Sequence, residues 1–517
     1  MNSLKNQCSQ FYWCCLIFSL LTASLRAQDT SSVAANPDFL GGHSFAAALI
    51  PPDPLPAEGL SQPAGSDPTQ LAATAQIVVP PSLLSDPIPS SQQVPFTLPS
   101  TAGNGSSAAG TMNGFDGHPS IQDALSAMLP GNFAQTRYKW YGLVRLDGIF
   151  DFKPIGSNDD FVTSTIPVPQ GHGRNATLTP RYTRLGLDTS TPSPVNDWTI
   201  KTRIEVDFFN GNEQQVFASF PLRVRFAWIE MGPLVIGQAA SMFMDYGVFP
   251  NTLDYEGPGG MVLMRQPLIG LKLPVATSTF LSLGVEQPYS DIQWFSNGSW
   301  VVNPGSGTIT TPGVDKNIQE MPDFTGNIHY DGDFGHAQVS SILRRLSFQS
   351  AAGESYNQLG YGVNLTGSFH PWGWLTGLPR DPASRNPWQR SRVLGQFAKG
   401  RGINRYIQDV NGLGLDAIFD PVTGFVALDA SGWFVAYEQW WSQKLLSNFT
   451  YGQNRTDLPG ALPANTYQAA NYLSANLIWL PFERMGVGIE TLYGERQNKD
   501  GQSGQACRIQ IGAQYKF

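Results

Sequence analysis

The chain has 517 residues and a formal charge of −8, with 14% charged residues against 12% aromatics. Soluble domains carry roughly 25% charge, so an ordinary soluble protein is disfavoured, yet past the N-terminus no apolar run approaches the roughly 18 residues a spanning helix needs. A closed β-barrel is the other structure that satisfies every backbone polar group in lipid.

The first stretch, "MNSLKNQCSQFYWCCLIFSLLTASLRAQ", sets Lys5 before an apolar run from Phe11 to Leu25 and the small residue Ala27. This pattern predicts a secretory signal peptide over 1–27. Three of the four cysteines (Cys8, Cys14, Cys15) fall inside it, and the fourth, Cys507, leaves no intramolecular disulfide, metal cluster or Cys nucleophile to expect. From 28 to 135 there is no Lys or Arg but eight acids, in a Pro/Ser/Ala-rich context without periodicity. Such composition cannot bury enough apolar surface to offset chain entropy. It predicts a disordered acidic extension on the periplasmic side, and leaves residues 136–517 nearly neutral, with 30 cations and 32 anions.

From Arg137 onward the hydrophobic period is two. In "RYKWYGLVRLDGIFDF" Trp140, Val144, Leu146, Phe150 and Phe152 alternate with Lys139, Arg145, Asp147 and Asp151. Strands of this kind are predicted at 137–152, 181–190, 197–210, 219–231, 233–241, 260–273, 277–287, 322–331, 335–348, 357–370, 390–405, 429–440, 443–454, 468–480, 484–496 and 504–517. The predicted fold is all-β, a transmembrane antiparallel barrel of about sixteen strands. An Arg or Lys at the bilayer midplane costs about 2–4 kcal/mol, so the polar rows must face a watery lumen.

Short turns alternate with long connections at 153–180, 288–321 and 406–428, the asymmetry of an outer-membrane barrel with its short turns in the periplasm. The chain ends on "CRIQIGAQYKF", which reads as a closing strand whose Tyr515 and Phe517 join the interfacial aromatic girdle. An ending of this kind resembles the signal read by the barrel-assembly machinery.

"KWYGLVRLDGIFDF", "RLGLDTSTP", "IKTRIEVDFF", "LRVRFAWIEMGPLVIGQAASMFMD", "TLDYEGPGGMVLMRQP", "GRGINRYIQD" and "SANLIWLPFERMGVGIETLYGERQNKDG" together resemble the DcaP-like porins, trimeric outer-membrane channels of Gram-negative bacteria. The resemblance covers about 136–517. Upstream, where that family often has a coiled coil, this chain has no heptads. The resemblance implies a homotrimer in outer-membrane lipid, passage of small anionic solutes, and a third outer loop folded into the lumen as a constriction. Here that loop is 242–259, carrying Asp245, Asp254 and Glu256.

Unbulged hairpins would set Arg184 opposite Arg203 and Arg203 opposite Arg225, with Glu205 opposite Arg223, Lys201 one step away and Arg145 on the neighbouring strand. Adjacent like charges repel, which leaves two readings open. The cations pair internally with Glu205, Asp207 and Asp188, or their surplus faces the acidic loop and receives anions such as dicarboxylates. A non-selective porin and a plugged structural or adhesive barrel are the alternatives. The six His lie in no nucleophile motif, "HYDGDFGH" (His329, Asp331, Asp333, His336) reads as a hairpin before it reads as a metal site, and no basic surface suits nucleic acid. Neither catalysis nor a cofactor is expected.

Overall fold

A computed structural model describes residues 136–193, 198–210, 220–296, 298–303, 313–381 and 384–517. The signal peptide and acidic extension expected over 1–135 lie outside the described residues. Sixteen antiparallel strands close on themselves: β1 (Arg137–Lys153), β2 (Arg184–Pro192), β3 (Thr199–Asp207), β4 (Arg223–Met231), β5 (Leu234–Ala240), β6 (Arg265–Ala276), β7 (Thr279–Glu286) and β8 (Asp323–Gly332) form the first half. The second half is β9 (Gly335–Gln349), β10 (Ser355–Phe369), β11 (Arg392–Arg401), β12 (Asp429–Trp440), β13 (Leu445–Thr456), β14 (Tyr467–Trp479), β15 (Met485–Asn498) and β16 (Ser503–Lys516). Two short strands, Asn175–Thr179 and Lys316–Ile318, extend the sheet at its long-loop end.

Side-chain alternation fixes which face is which. On β1, Trp140, Val144, Leu146, Phe150 and Phe152 are exposed, while Arg145, Asp147 and Asp151 are buried inside. On β10 the exposed row is Leu359, Tyr361, Val363, Leu365 and Phe369, and the buried row Asn364, Thr366 and Ser368. An apolar outside around a polar inside is the inverse of a soluble core, and it is what lipid requires.

Closure comes from β1, which pairs with β16 from Leu143↔Lys516 to Lys153↔Cys507 and with β2 from Arg137↔Ser190 to Leu143↔Arg184. Among the described residues no edge strand is left along the ring, which removes the template for edge-to-edge association. Phe517 completes the seam: its N–H donates to Gly142 O at 3.0 Å, and a side chain at Gly142 would strike its ring. Replacing Phe517 with Asp is therefore expected to cut the heat-modifiable, folded fraction far more than Gln514→Glu, because Phe517 is an exposed girdle aromatic and Gln514 faces inward. Equal yields of the two variants on a semi-native gel would reverse this assignment of faces.

The short-turn end is built by turn chemistry. Met231 and Leu234 are joined through Gly232, at φ 56°, and Pro233, a backbone only glycine adopts without strain. At the long-loop end, Ile292–Ser296, Ser299–Asn303, Ala417–Asp420 and Gly424–Ala427 form a separate four-stranded sheet, in which Ala417–Phe419 runs parallel to Ile292–Trp294. It caps the outer side of a cluster made by Trp294, Leu346, Phe348, Phe419 and Phe425.

The register of the first hairpins differs from the sequence expectation. Arg184 faces Asp207 and Asp188 faces Arg203, not Arg184 facing Arg203. Between β3 and β4 the partners are Arg203↔Trp228 and Asp207↔Arg223, with a bulge between Glu205 and Val206. The hairpin is centred two residues further along the chain than unbulged pairing of Arg184 with Arg203 requires, which slides the strands until unlike charges meet. Electrostatics and turn position thus choose the same register.

Candidate functional site

Strand β5 is only seven residues long. At Gly237, φ 127°, a Cβ would lie 2.2 Å from Ala227 O, so only glycine lets the chain kink there. Beyond Ala240 the chain leaves the wall and crosses the barrel interior as a segment spanning 241–264.

A loop inside a barrel must still satisfy its backbone. The lumen-facing row of the opposite wall does this with amides. Asn327 donates to Met242 O at 2.7 Å, Asn364 to Phe243 O at 2.9 Å, Gln338 to Met244 O at 3.0 Å and Asn476 to Asn251 O at 2.7 Å. Glu490 accepts from the N–H groups of Leu253 and Asp254 at 2.6 and 2.8 Å, and Arg145 donates to Leu253 O. Asp245 is held by His336, whose Nε2 lies 3.0 Å away, and by the Thr366 hydroxyl. Although burial works against it, the neighbouring His336 keeps the Asp245 carboxyl below the usual carboxylate range. Ser368 Oγ sits 2.7 Å from His336 Nδ1. Ser368, His336 and Asp245 are nonetheless all buried and none borders the open cavity, so the arrangement anchors the loop.

A second segment also turns inward. Residues 402–416, of which 402–405 were expected to end a strand and the rest to belong to an outer loop, pack Ile403, Tyr406, Ile407, Val410 and Leu415 against Phe243, Val262 and Ile342. Apolar residues at this density in a solvated loop are the signal that was available. A third segment, at 159–166, tucks Phe161 and Ile166 against Tyr472 and Leu492.

Between these segments and the β2–β4 wall lies a cavity of about 500 Å³. One side carries Arg184, Arg223, Arg225 and Arg265. Arg223 pairs with Asp207 at 2.7 Å, Arg225 with Glu205 at 2.6 Å and Asp207 at 3.1 Å, and Arg184 with Glu205 at 3.4 Å. Arg265 touches the Tyr246 hydroxyl at 3.2 Å and pairs with no carboxylate among the described residues. The inward segments bring Asp160, Asp254, Glu256 and Asp409 to the same lining, and no cation forms a salt bridge with any of them among the described residues. Burial, reinforced by their mutual repulsion, pushes Asp160 and Asp409 up to about 7 and Glu256 well above the carboxylate range.

Of the residues singled out from sequence, Arg184, Arg223, Arg225, Asp254 and Glu256 meet at this cavity. The rest lie elsewhere. Arg145 is buried on Asp147 at 2.7 Å, Arg203 on Asp188 at 2.8 Å, and Lys201 pairs with Glu230 at 3.0 Å nearer the short-turn end. Asp245 is the anchor just described. Sequence reasoning missed Arg265, Asp160 and Asp409, because each is brought in by a segment whose inward path alternation does not encode.

Residues 121–275 match the family model described as DcaP outer membrane protein. Over these residues the chain is similar to the DcaP family. The crystal structure of the outer-membrane channel DcaP of Acinetobacter baumannii superposes with a TM-score of 0.61 at 22% identity, covering 74% of this chain and 98% of that one. An anion-selective porin from Comamonas acidovorans (TM-score 0.43, 9% identity, 74% and 100% covered) and OmpF of Salmonella typhi in complex with daunomycin (0.43, 11%, 74% and 98%) are more distant. No curated protein matches the chain significantly. The resemblance and the sixteen-stranded fold expected from the sequence are borne out, and the fold of this chain is that of outer-membrane channels.

Proposed function

We propose that this DcaP-like protein is a passive outer-membrane channel for small hydrophilic solutes, with the inward 241–264 segment as its constriction and a preference for solutes bearing an anionic group, dicarboxylates among them. One observation carries the preference: four guanidinium groups border the cavity on a wall that supplies two carboxylates, Glu205 and Asp207. The surplus, centred on Arg265, is the kind of charge that draws an anion into a narrow passage, strongly enough to select and weakly enough to release. A homotrimer, a periplasmic N-terminal extension and recognition of Tyr515 and Phe517 by the barrel-assembly machinery complete the reading. The outward exposure of both aromatics supports the last of these.

A plugged structural barrel is the competing reading, favoured by the apolar cluster that the 241–264 and 402–416 segments build inside the ring. Bilayer recording separates the two. The purified protein is expected to conduct, with a reversal potential in a salt gradient on the anion-selective side, and Arg265→Gln is expected to move that potential toward cations. Silence in the bilayer supports the plug, and a cation-selective parent removes the proposed preference.

A further inference from the structure

The cavity is two-sided, and its carboxyl wall has no role in a simple anion path. Asp160, Asp254, Glu256 and Asp409 come from three separate inward segments, so the fold gathers them at a point where their repulsion must be offset. A group of acids alone would mean little. Here a second, independent feature points to a ligand: buried polar atoms at the cavity's edge lack partners among the described residues, and they differ in kind between the two sides. The Tyr255 hydroxyl is a donor without an acceptor near the arginine wall, while Asp409 Oδ1 is an acceptor without a donor in the carboxyl wall. Asp409 is 2% exposed, which makes its unmet hydrogen-bonding capacity costly. Thr163 already donates to the other Asp409 oxygen, Oδ2, so the vacant acceptor is the one left for a solute.

Resting on the channel reading above, we propose that the cavity selects zwitterionic solutes, whose carboxylate meets Arg184, Arg265 and Tyr255 while a protonated amine meets Asp409 and Glu256. A dianion satisfies the first wall and is repelled by the second once that wall is ionised. A dication does the reverse. A zwitterion alone meets both, and it arrives with its charges ordered as the transverse field between the walls demands. The wall's acids, held near neutrality by burial, ionise more readily when an ammonium group approaches, so the solute itself completes the charge pattern.

Succinate, γ-aminobutyrate and 1,4-diaminobutane share a four-carbon backbone and differ in the charge of their ends, so they separate charge pattern from size. Liposomes carrying the full-length protein are to be swollen in isosmotic solutions of each at about pH 8, above the value of about 7 to which burial raises Asp160 and Asp409, and where the amines remain protonated. γ-Aminobutyrate is expected to enter about threefold faster than succinate or more, and Asp409→Asn is expected to bring that ratio down to about one. Glu256→Gln, measured in parallel, gives the same reading should the first variant fail to assemble. Succinate entering as fast as γ-aminobutyrate in the parent, or a ratio untouched by both substitutions, overturns the proposal while leaving the channel intact. No swelling with any of the three overturns the channel reading, and the proposal with it.

Discussion

Arg344→Met is expected to lower stability by about 3–5 kcal/mol, near the lower end of that range, because it strips a buried ion pair of its cation. The Arg344 side chain is fully buried, and its Nε meets Asp323 Oδ2 at 3.0 Å on β8 while its Nη1 meets Asp416 Oδ2 at 2.9 Å and Gly402 O at 2.6 Å on the inward 402–416 segment. The other terminal nitrogen donates to Tyr289 O. One guanidinium therefore ties a barrel strand to two long connections. The two carboxylates are not wholly abandoned by its loss, since Asp323 keeps the Tyr406 hydroxyl at 2.8 Å and Asp416 keeps the N–H groups of Arg405 and Asp291 at 2.9 and 3.0 Å. Arg345 is the internal control. It is the next residue, it points the other way, and its pairing with Glu320 at 3.0 Å is largely solvated, with 44% of its side chain exposed, so Arg345→Met should change stability by less than about 1 kcal/mol. Urea unfolding in detergent micelles distinguishes them, and equal midpoints would show that the Arg344 pairs contribute nothing net. Loosening the 402–416 segment should also widen the passage, so surviving Arg344→Met channels are expected to conduct more than the parent.

How much of this was legible in the sequence follows from what each signal encodes. Period-two alternation reports two solvents on two faces, so it located all sixteen strands and told inside from outside, as Trp140 and Arg145 illustrate. It carries no information about register, which depends on turn length. That is why Arg203 meets Asp188 and not Arg184, and why the wall's cations are neutralised more fully than adjacent arginines suggested. The inward segments were half legible. Asp254 and Glu256 could be placed because the family resemblance supplied the idea of an inward third loop. Asp409 could not, although Ile403, Tyr406, Ile407 and Val410 around it make poor sense in water and now prove fully buried. A rule that outer loops dense in apolar residues fold into the lumen would have recovered it. Arg265 stands at the first position of β6, where a strand begin looks unremarkable until the segment before it is known to cross the barrel.

The selectivity of the pore is expected to depend on pH through the carboxyl wall, and the sign can be worked out. Burial raises Asp160 and Asp409 to about 7, Asp254 above its ordinary value and Glu256 well above it. An acid raised in this way is neutral below its shifted value and anionic above it, so the wall gains negative charge as pH climbs through about 7. The surroundings do not cancel this. Asp160 faces Tyr182, Asp159, Asp254 and Arg223, and Asp409 faces Asp254 and Tyr467. Asp254 faces Arg508, Tyr472 and Glu490, and Glu256 faces the other three acids. The arginines across the cavity keep their charge throughout, so anion preference should be greatest in acid and decline on the alkaline side. Each carboxylate that ionises at about 4 Å from a passing anion costs it between about 1 kcal/mol in water and about 4 at an intermediate dielectric. Even the smaller figure shifts the permeability ratio about fivefold. Reversal potentials at about pH 5.5 and about pH 8.5 measure the step. His329 and His336 lie beside Asp245, off the cavity. The Asp160→Asn, Asp409→Asn double variant attributes the step: it should flatten most of it if the wall is responsible and leave it unchanged if groups off the cavity are. A parent whose selectivity is constant across this range, or grows more anionic as pH rises, would mean that these carboxyls are not felt by the permeating ion.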